Sequence, residues 1–325
     1  MKRWIPRIGN NKADNSHETT IIGLAKRSVV VIGYRSAGKT TFMGLVALHI
    51  GYLASIDNRI TYIFKPGVYD FPLPKWYEIL EKIRNGEPLP PTEVTKKPYV
   101  GRLVVRYPKL LGSGEFNIPI VDLAGELYQP IMDFVFNSKS EDFDYNKWNE
   151  ELIERLENLG ITKDDLRYIY DFIFNAKAYL IIINLDHALS AISPGYSKNS
   201  ASNDNAEIKS LLGRYFAVVT NLVNYRLERK DLPHVGIVLT HYDKAREYIE
   251  TNLGYNVWDK YNDRMELMTH INSEILHQLR IFGKDVPIFI SYYGPKHGPS
   301  RGIRLPDYPQ KEYDAIFDWI KEVLK

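Results

Sequence analysis

Apolar residues in this chain fall into two patterns. Some form short unbroken runs, such as Val29-Val30-Val31-Ile32 and Leu180-Ile181-Ile182-Ile183; others recur every three or four positions within charged stretches. The first pattern is that of a strand buried on both faces, the second that of a helix lying on a sheet. On this basis a strand ends at Ile32 and a helix covers Thr41 to Leu48. The proline-rich stretch Pro66 to Pro98 holds one helical segment, around Trp76 to Ile83. Strands Tyr99 to Tyr107 and Phe116 to Val121 flank a turn at Gly112-Ser113-Gly114 and read as an antiparallel hairpin. Residues 127–177 look helical and charged, with helical spacing clearest from Asn149 to Leu159. A strand Tyr179 to Leu185, a small-polar loop Ser193 to Asn205 and a long helix Glu207 to Arg229 follow. Then come a strand Val235 to Leu239, a helical region Lys244 to Phe282 interrupted near Gly254, a strand Val286 to Ile290 and a helix Glu312 to Leu324. Strands alternating with helices predict an α/β fold in which a parallel sheet carries helices on both faces. The expected sheet has six strands, mostly parallel with one antiparallel strand. A single domain over 21–325, with helical insertions at about 127–177 and 244–282, is expected to follow an N-terminal arm of residues 1–20.

Composition narrows the function classes. The 325 residues include 42 basic and 40 acidic side chains, a net charge of +2, which gives no bulk attraction to nucleic acid. The run Ala178 to Ile183 is strand-length and far short of a membrane span. With no apolar secretory core near the N-terminus, a cytoplasmic location is expected. The absence of cysteine excludes disulfides, thiolate zinc sites and cysteine nucleophiles. In the arm, Lys2, Arg3, Arg7 and Lys12 interleave with Trp4, Ile5 and Ile8. That pattern suits contact with an anionic membrane surface or, more simply, a solvated tail.

The strongest chemical signal is Gly33-Tyr34-Arg35-Ser36-Ala37-Gly38-Lys39-Thr40, a complete G-x-x-x-x-G-K-S/T phosphate loop between a strand and a helix. Its glycines let backbone N–H groups curl around an anion, and the helix N-terminus adds its positive dipole end. The motif implies that Ser36, Ala37, Gly38, Lys39, Thr40 and Thr41 surround the phosphates. Lys39 reaches the β- and γ-phosphates, and the Thr40 hydroxyl ligates Mg²⁺. Arg35, in a position close to the γ-phosphate, either supplies charge in the manner of an arginine finger, obstructs the attacking water, or points to solvent.

Three further segments each follow a predicted strand, at the edge where open α/β sheets bind ligands. The first is Ile120-Val121-Asp122-Leu123-Ala124-Gly125-Glu126. An aspartate there can hold Mg²⁺ through water, and the Gly125 N–H can meet a γ-phosphate and be released when it leaves. The second is Thr240-His241-Tyr242-Asp243. A carboxylate at Asp243 can accept from guanine N1–H and the 2-amino group together, whereas adenine would leave it unpaired. An imidazole at His241 can stack on a base. Alternatively, Asp243 merely caps a helix. The third is Ile290-Ser291-Tyr292 after the last strand.

Taken in order, these parts resemble a GTPase of the Ras-like class: phosphate loop, hairpin, D-x-x-G, strand, T-x-x-D, strand with Ser291, terminal helix. The resemblance runs from about Val29 to Lys325, and with its bulk and its D-L-A-G-E segment the chain is similar to the prokaryotic double-GTPase branch. It implies a phosphate-loop NTPase sandwich that binds GTP or GDP with Mg²⁺ and hydrolyses GTP slowly. By the resemblance Gly33, Gly125, Thr240, His241, Asp243 and Ser291 contact nucleotide, and Thr40, Asp122 and a switch threonine hold the metal. Thr95 is preferred for that threonine over Thr92 for its closeness to the following strand. The chain departs from the family pattern at His241, where a lysine is usual, and at Tyr292, where a small residue is usual. At Glu126 the family carries a water-orienting glutamine; here the glutamate is either catalytic or a surface residue after a turn. The insertions would bind a protein effector or a second copy of the chain. The competing functions are an ATPase or kinase of the same superfamily and a nucleotide-binding scaffold without turnover.

Overall fold

The computed structural model describes residues 23–34, 36–66, 73–89, 99–110, 112–122, 173–193, 195–196, 202–228, 230, 232–280, 286–294, 299–300 and 303–324. The strand β1 (Val29–Ile32) leads through the phosphate loop into an 18-residue helix α1 (Lys39–Ile56). Then follow β2 (Thr61–Pro66), α2 (Leu73–Arg84), and the hairpin of β3 (Tyr99–Pro108) and β4 (Ser113–Asp122). Next are β5 (Ala178–Asn184), α3 (Leu185–Ile192) and the 27-residue α4 (Ser202–Glu228). The chain continues through β6 (His234–Thr240), α5 (Tyr242–Thr251), α6 (Tyr261–Leu279) and β7 (Ile288–Ile290). A two-residue pair, β8 (Pro299–Ser300) and β9 (Ile303–Arg304), precedes α7 (Gln310–Val323).

Among the described residues the strands make a four-stranded sheet in the order β1-β5-β6-β7, all parallel, and a three-stranded antiparallel sheet β2-β3-β4. The single six-stranded sheet expected from the sequence is not seen among the described residues. Only four residues of β1 are regular, and it meets β4 at one parallel bridge, Ser28 with Asn117. There the Asn117 N–H donates to the Arg27 carbonyl at 3.1 Å. The two ladders touch without merging. Because the bridge is parallel, five residues further along each strand bring the end of β4 at Asp122 and the loop start at Gly33 to the same edge.

Helices cover both faces of the parallel sheet, and the period-two alternation of the strands explains why both must be apolar. On one face, Val31 and Leu180 meet Phe42, Met43 and Val46 of α1 and Ile320 of α7. On the other, Ile32, Tyr179, Ile181 and Val235 meet Val219 and Leu222 of α4 and Leu279 of α6. Every residue of β5 is buried, as a central strand requires. Helix α1 approaches α2 so closely at Gly44 that a Cβ there would sit 2.2 Å from Ile83 Cδ1. A partly buried bidentate pair locks the far side: Arg264 of α6 donates to both Glu312 oxygens of α7 at 3.0 and 2.6 Å. Arg264 also donates to the Ile288 carbonyl at 2.8 Å, and Glu312 accepts from the Ile290 N–H at 3.0 Å, so β7 is held between the two helices.

Strand β2 and helix α3 were not foreseen. In β2 the side chains of Thr61, Tyr62 and Ile63 are all exposed, so the strand shows no alternation, and it ends on Pro66, which an edge strand tolerates. The interruption of the 244–282 region is real: Gly254, at φ +73°, lies between α5 and α6. The 1–20 arm and residues 127–172 lie outside the described residues.

Candidate functional site

The loops after β1, β5 and β6 converge at the carboxyl edge of the parallel sheet. The phosphate loop explains its own glycines. Gly38 is the N-cap of α1 and sits at φ +86°, a left-handed conformation that costs a residue with a Cβ roughly 1–2 kcal/mol. A Cβ on Gly33 would lie 3.0 Å from Lys39 Cγ and 3.1 Å from Ile182 Cβ, so the lysine stem passes directly over it. Lys39 Nζ donates to the Tyr34 carbonyl at 2.8 Å, spanning the loop. Helix α1 has no acidic residue in its first turn, and its N-cap Gly38 has no side chain to cap it. Its first N–H groups thus face the loop with the positive end of the dipole.

Two strand ends hold the loop from below. Thr240 Oγ1, at the end of β6, donates to the Ala37 carbonyl at 2.7 Å. Asn184 Nδ2, at the end of β5, donates to the Ser36 carbonyl at 3.0 Å. These two residues are register partners in the β5–β6 ladder. Both are buried, Asn184 being 3% exposed and Thr240 4%. The Ala37 N–H in turn donates to the Tyr34 carbonyl at 3.2 Å. Ser36 itself is left-handed, at φ 59°, a strain that the flanking hydrogen bonds must offset.

His241 also adopts a left-handed backbone, φ 57°, as the N-cap of α5. This turns its ring onto the loop, where a Cβ on Gly38 would lie 3.4 Å from His241 Nε2. Burial lowers the His241 pKa to about 4; Lys244 and His187 push the same way, and Asp186 opposes them. The ring is neutral at pH 7. Asp243, in the first turn of α5, has an exposed residue position and a carboxylate pKa raised by partial desolvation. The nearby backbone N–H groups of Asp243 and Lys244 work against that rise; the Lys244 N–H donates to the His241 carbonyl at 3.2 Å, and His241, not Asp243, is the capping residue.

Ser291 does not present its hydroxyl to this edge. Its Oγ shares a 2.8 Å hydrogen bond with the Tyr313 hydroxyl in the core, and its N–H donates to the Leu239 carbonyl at 2.8 Å. The amides of Tyr292 and Tyr293 are the next along the loop. Thr41 is partly buried in the first turn of α1 beside Thr40. The backbone of Asp122 ends β4, opposite Tyr99. Arg35, Thr92, Thr95, Gly125 and Glu126 lie outside the described residues.

Several site residues were missed from the sequence. Asn184 caps α3 by accepting the His187 N–H at 3.2 Å, and His187 lies beside Tyr34, ring centroids 5.9 Å apart. The Tyr34 hydroxyl and His187 Nδ1 are both buried without a hydrogen-bond partner among the described residues. Burial raises the phenol pKa of Tyr34 and lowers that of His187. Asp186 accepts from the Tyr196 hydroxyl at 2.8 Å. The available signal was a polar Asn184 ending the most apolar strand of the chain; the sequence reading carried that strand through to Leu185 and placed no helix after it.

No group of three or more His, Asp or Glu residues that could hold a metal by itself occurs among the described residues. A Mg²⁺ ion that takes most of its oxygens from phosphate and water needs no such group. No helix is long and apolar enough to cross a membrane among the described residues. No protein-family model matches the chain, and comparison with curated proteins gives no match.

Proposed function

We propose that this chain is a Mg²⁺-dependent guanine-nucleotide switch of the Ras-like class, binding GTP and GDP and hydrolysing GTP slowly. The observation that carries the reading is the convergence at one sheet edge of a phosphate loop with the lysine of its motif, a threonine clamping that loop, and His241 and Asp243 directly after the clamp. Two strand ends hold the loop in place, so little reorganisation is needed when an anion arrives. On this reading Lys39 leaves the Tyr34 carbonyl for the β- and γ-phosphates. His241 lies against the base or ribose, Asp243 accepts from the guanine edge, and an amide of Tyr292 or Tyr293 meets the base oxygen. Thr40, Asp122 through water and Thr95 would hold Mg²⁺, which when bound neutralises charge between the phosphates. Thr240 and Ser291 act by fixing the loops rather than by touching the base.

The test is competition binding with Mg²⁺ present, GTP and GDP against ATP, on the wild type and on Lys39→Ala. Wild type is expected to prefer guanine nucleotides. Lys39→Ala should lose triphosphate affinity by about 10- to 100-fold, the scale of a charge-assisted hydrogen bond, with an unchanged far-ultraviolet circular dichroism spectrum. Preference for ATP points instead to the ATPase or kinase reading. Unchanged triphosphate affinity in the variant removes Lys39 from the site.

A further inference from the structure

We infer that Asn184 is a positioning residue for the phosphate loop: its side chain fixes the Ser36 carbonyl and, through the same amide group, ties the loop to the start of α3. The inference rests on the reading that this loop binds nucleotide phosphates.

The geometry runs through two consecutive peptide units. In a planar trans peptide the C=O and the N–H point in opposite directions, so holding one aims the other. Asn184 Nδ2 holds the Ser36 carbonyl at 3.0 Å, and the N–H of the same unit, on Ala37, reaches the Tyr34 carbonyl at 3.2 Å. Thr240 Oγ1 holds the next carbonyl, Ala37, at 2.7 Å, which directs the Gly38 N–H to the opposite side. Both clamps come from register partners at the ends of adjacent strands. Ser36 is the residue that most needs such a hold, being left-handed without being glycine.

The Asn184 amide has two ends and both are used. While Nδ2 donates to the loop, Oδ1 accepts the His187 N–H at 3.2 Å and caps α3. A displacement of the Ser36 carbonyl is thereby transmitted to the first turn of α3, whose His187 lies beside Tyr34 of the same loop. The chain thus carries a direct mechanical link from the phosphate loop to a helix outside the phosphate-loop motif.

The two ends can be separated by substitution. Asn184→Asp keeps an acceptor for the His187 N–H, and aspartate caps helices as well as asparagine does. It loses the donor to Ser36. Asn184→Ser also caps, without adding charge, but its shorter side chain does not reach the loop. Two readouts are taken on wild type and both variants: amide exchange at Ala37 in nucleotide-free protein, and affinity for GDP with Mg²⁺. Melting temperature serves as the control for the cap. The expected result is about tenfold faster exchange at Ala37 and about tenfold weaker GDP binding, with melting temperature and α3 amide protection close to wild type in at least one variant. Unchanged exchange and unchanged affinity in a folded variant overturn the inference. So does an affinity loss that only follows a loss of melting temperature. Should the wild type bind no guanine nucleotide while Ala37 exchange still accelerates, the nucleotide reading fails and the positioning role of Asn184 stands.

Discussion

His241 puts a titratable ring against the phosphate loop, its Nε2 3.4 Å from where a Cβ on Gly38 would lie. Burial holds its pKa near 4, against an unperturbed value of about 6.5, so the ring enters binding uncharged at pH 7. A polyphosphate bound at the loop would favour the imidazolium and raise that pKa, so binding takes up a proton. The sign follows directly. Nucleotide affinity should rise as pH falls from about 7 toward 5, while the same lowered pKa makes the free protein lose stability over that interval. A rise of about two units on binding corresponds to roughly a tenfold gain between pH 7.5 and 5. In His241→Lys the charge is fixed and the profile should flatten. Titration calorimetry across this pH range measures both, and a slope that persists unchanged in the lysine variant places the proton elsewhere. Asp243 and Asn184 show how unequal single residues are in sequence. Asp243 stood out as a candidate because a carboxylate placed after a strand could pair with guanine. Asn184 did not, because a lone asparagine ending an apolar run has no such signature until the loop above it is seen.

Elements were legible where one pattern dominated. The buried runs of β1, β5 and β6 and the amphipathic α4 and α7 emerged within a few residues of their observed ends. The failures share a cause: tertiary context sets the boundary. Helix α3 is short and starts directly on the last residue of β5, so no turn signal separates them; β2 is an exposed edge strand with no alternation to detect. At this scale the α6–β7–α7 junction is the most exposed to damage. Arg264 and Glu312 are 12% and 11% exposed and hold each other and the β7 backbone. Removing one partner leaves a desolvated charge, so Glu312→Ala should cost about 3–5 kcal/mol. Replacing both, as Arg264→Met with Glu312→Leu, should recover most of that loss. Denaturant unfolding of the three variants tests the pair, and a double variant no better than the single one would mean that the backbone contacts of Glu312, rather than the ion pair, carry the junction.

For the whole molecule, alternation of strands and helices fixes the layered α/β arrangement, but not how many ladders the strands make. That depends on how far β1 and β4 run side by side, and one bridge at Ser28 and Asn117 decides it. The proposed base, phosphate and metal sites would draw on segments far apart in the sequence, so the proposal belongs to the whole molecule. It turns on Asp243 reading guanine. Asparagine presents one acceptor and one donor where aspartate presents two acceptors. In Asp243→Asn the new donor meets the 2-amino group of guanine unfavourably but pairs with the 2-carbonyl of xanthine, while N1–H is still accepted. The most direct measurement is therefore the affinity of wild type and Asp243→Asn for GTP, xanthosine triphosphate and ATP under identical Mg²⁺ conditions. The expected result is a wild type that prefers GTP and a variant whose preference moves toward xanthosine triphosphate by about 2 kcal/mol or more, roughly 30-fold. A variant that keeps its preference for GTP, or a wild type that prefers ATP, would contradict the guanine assignment.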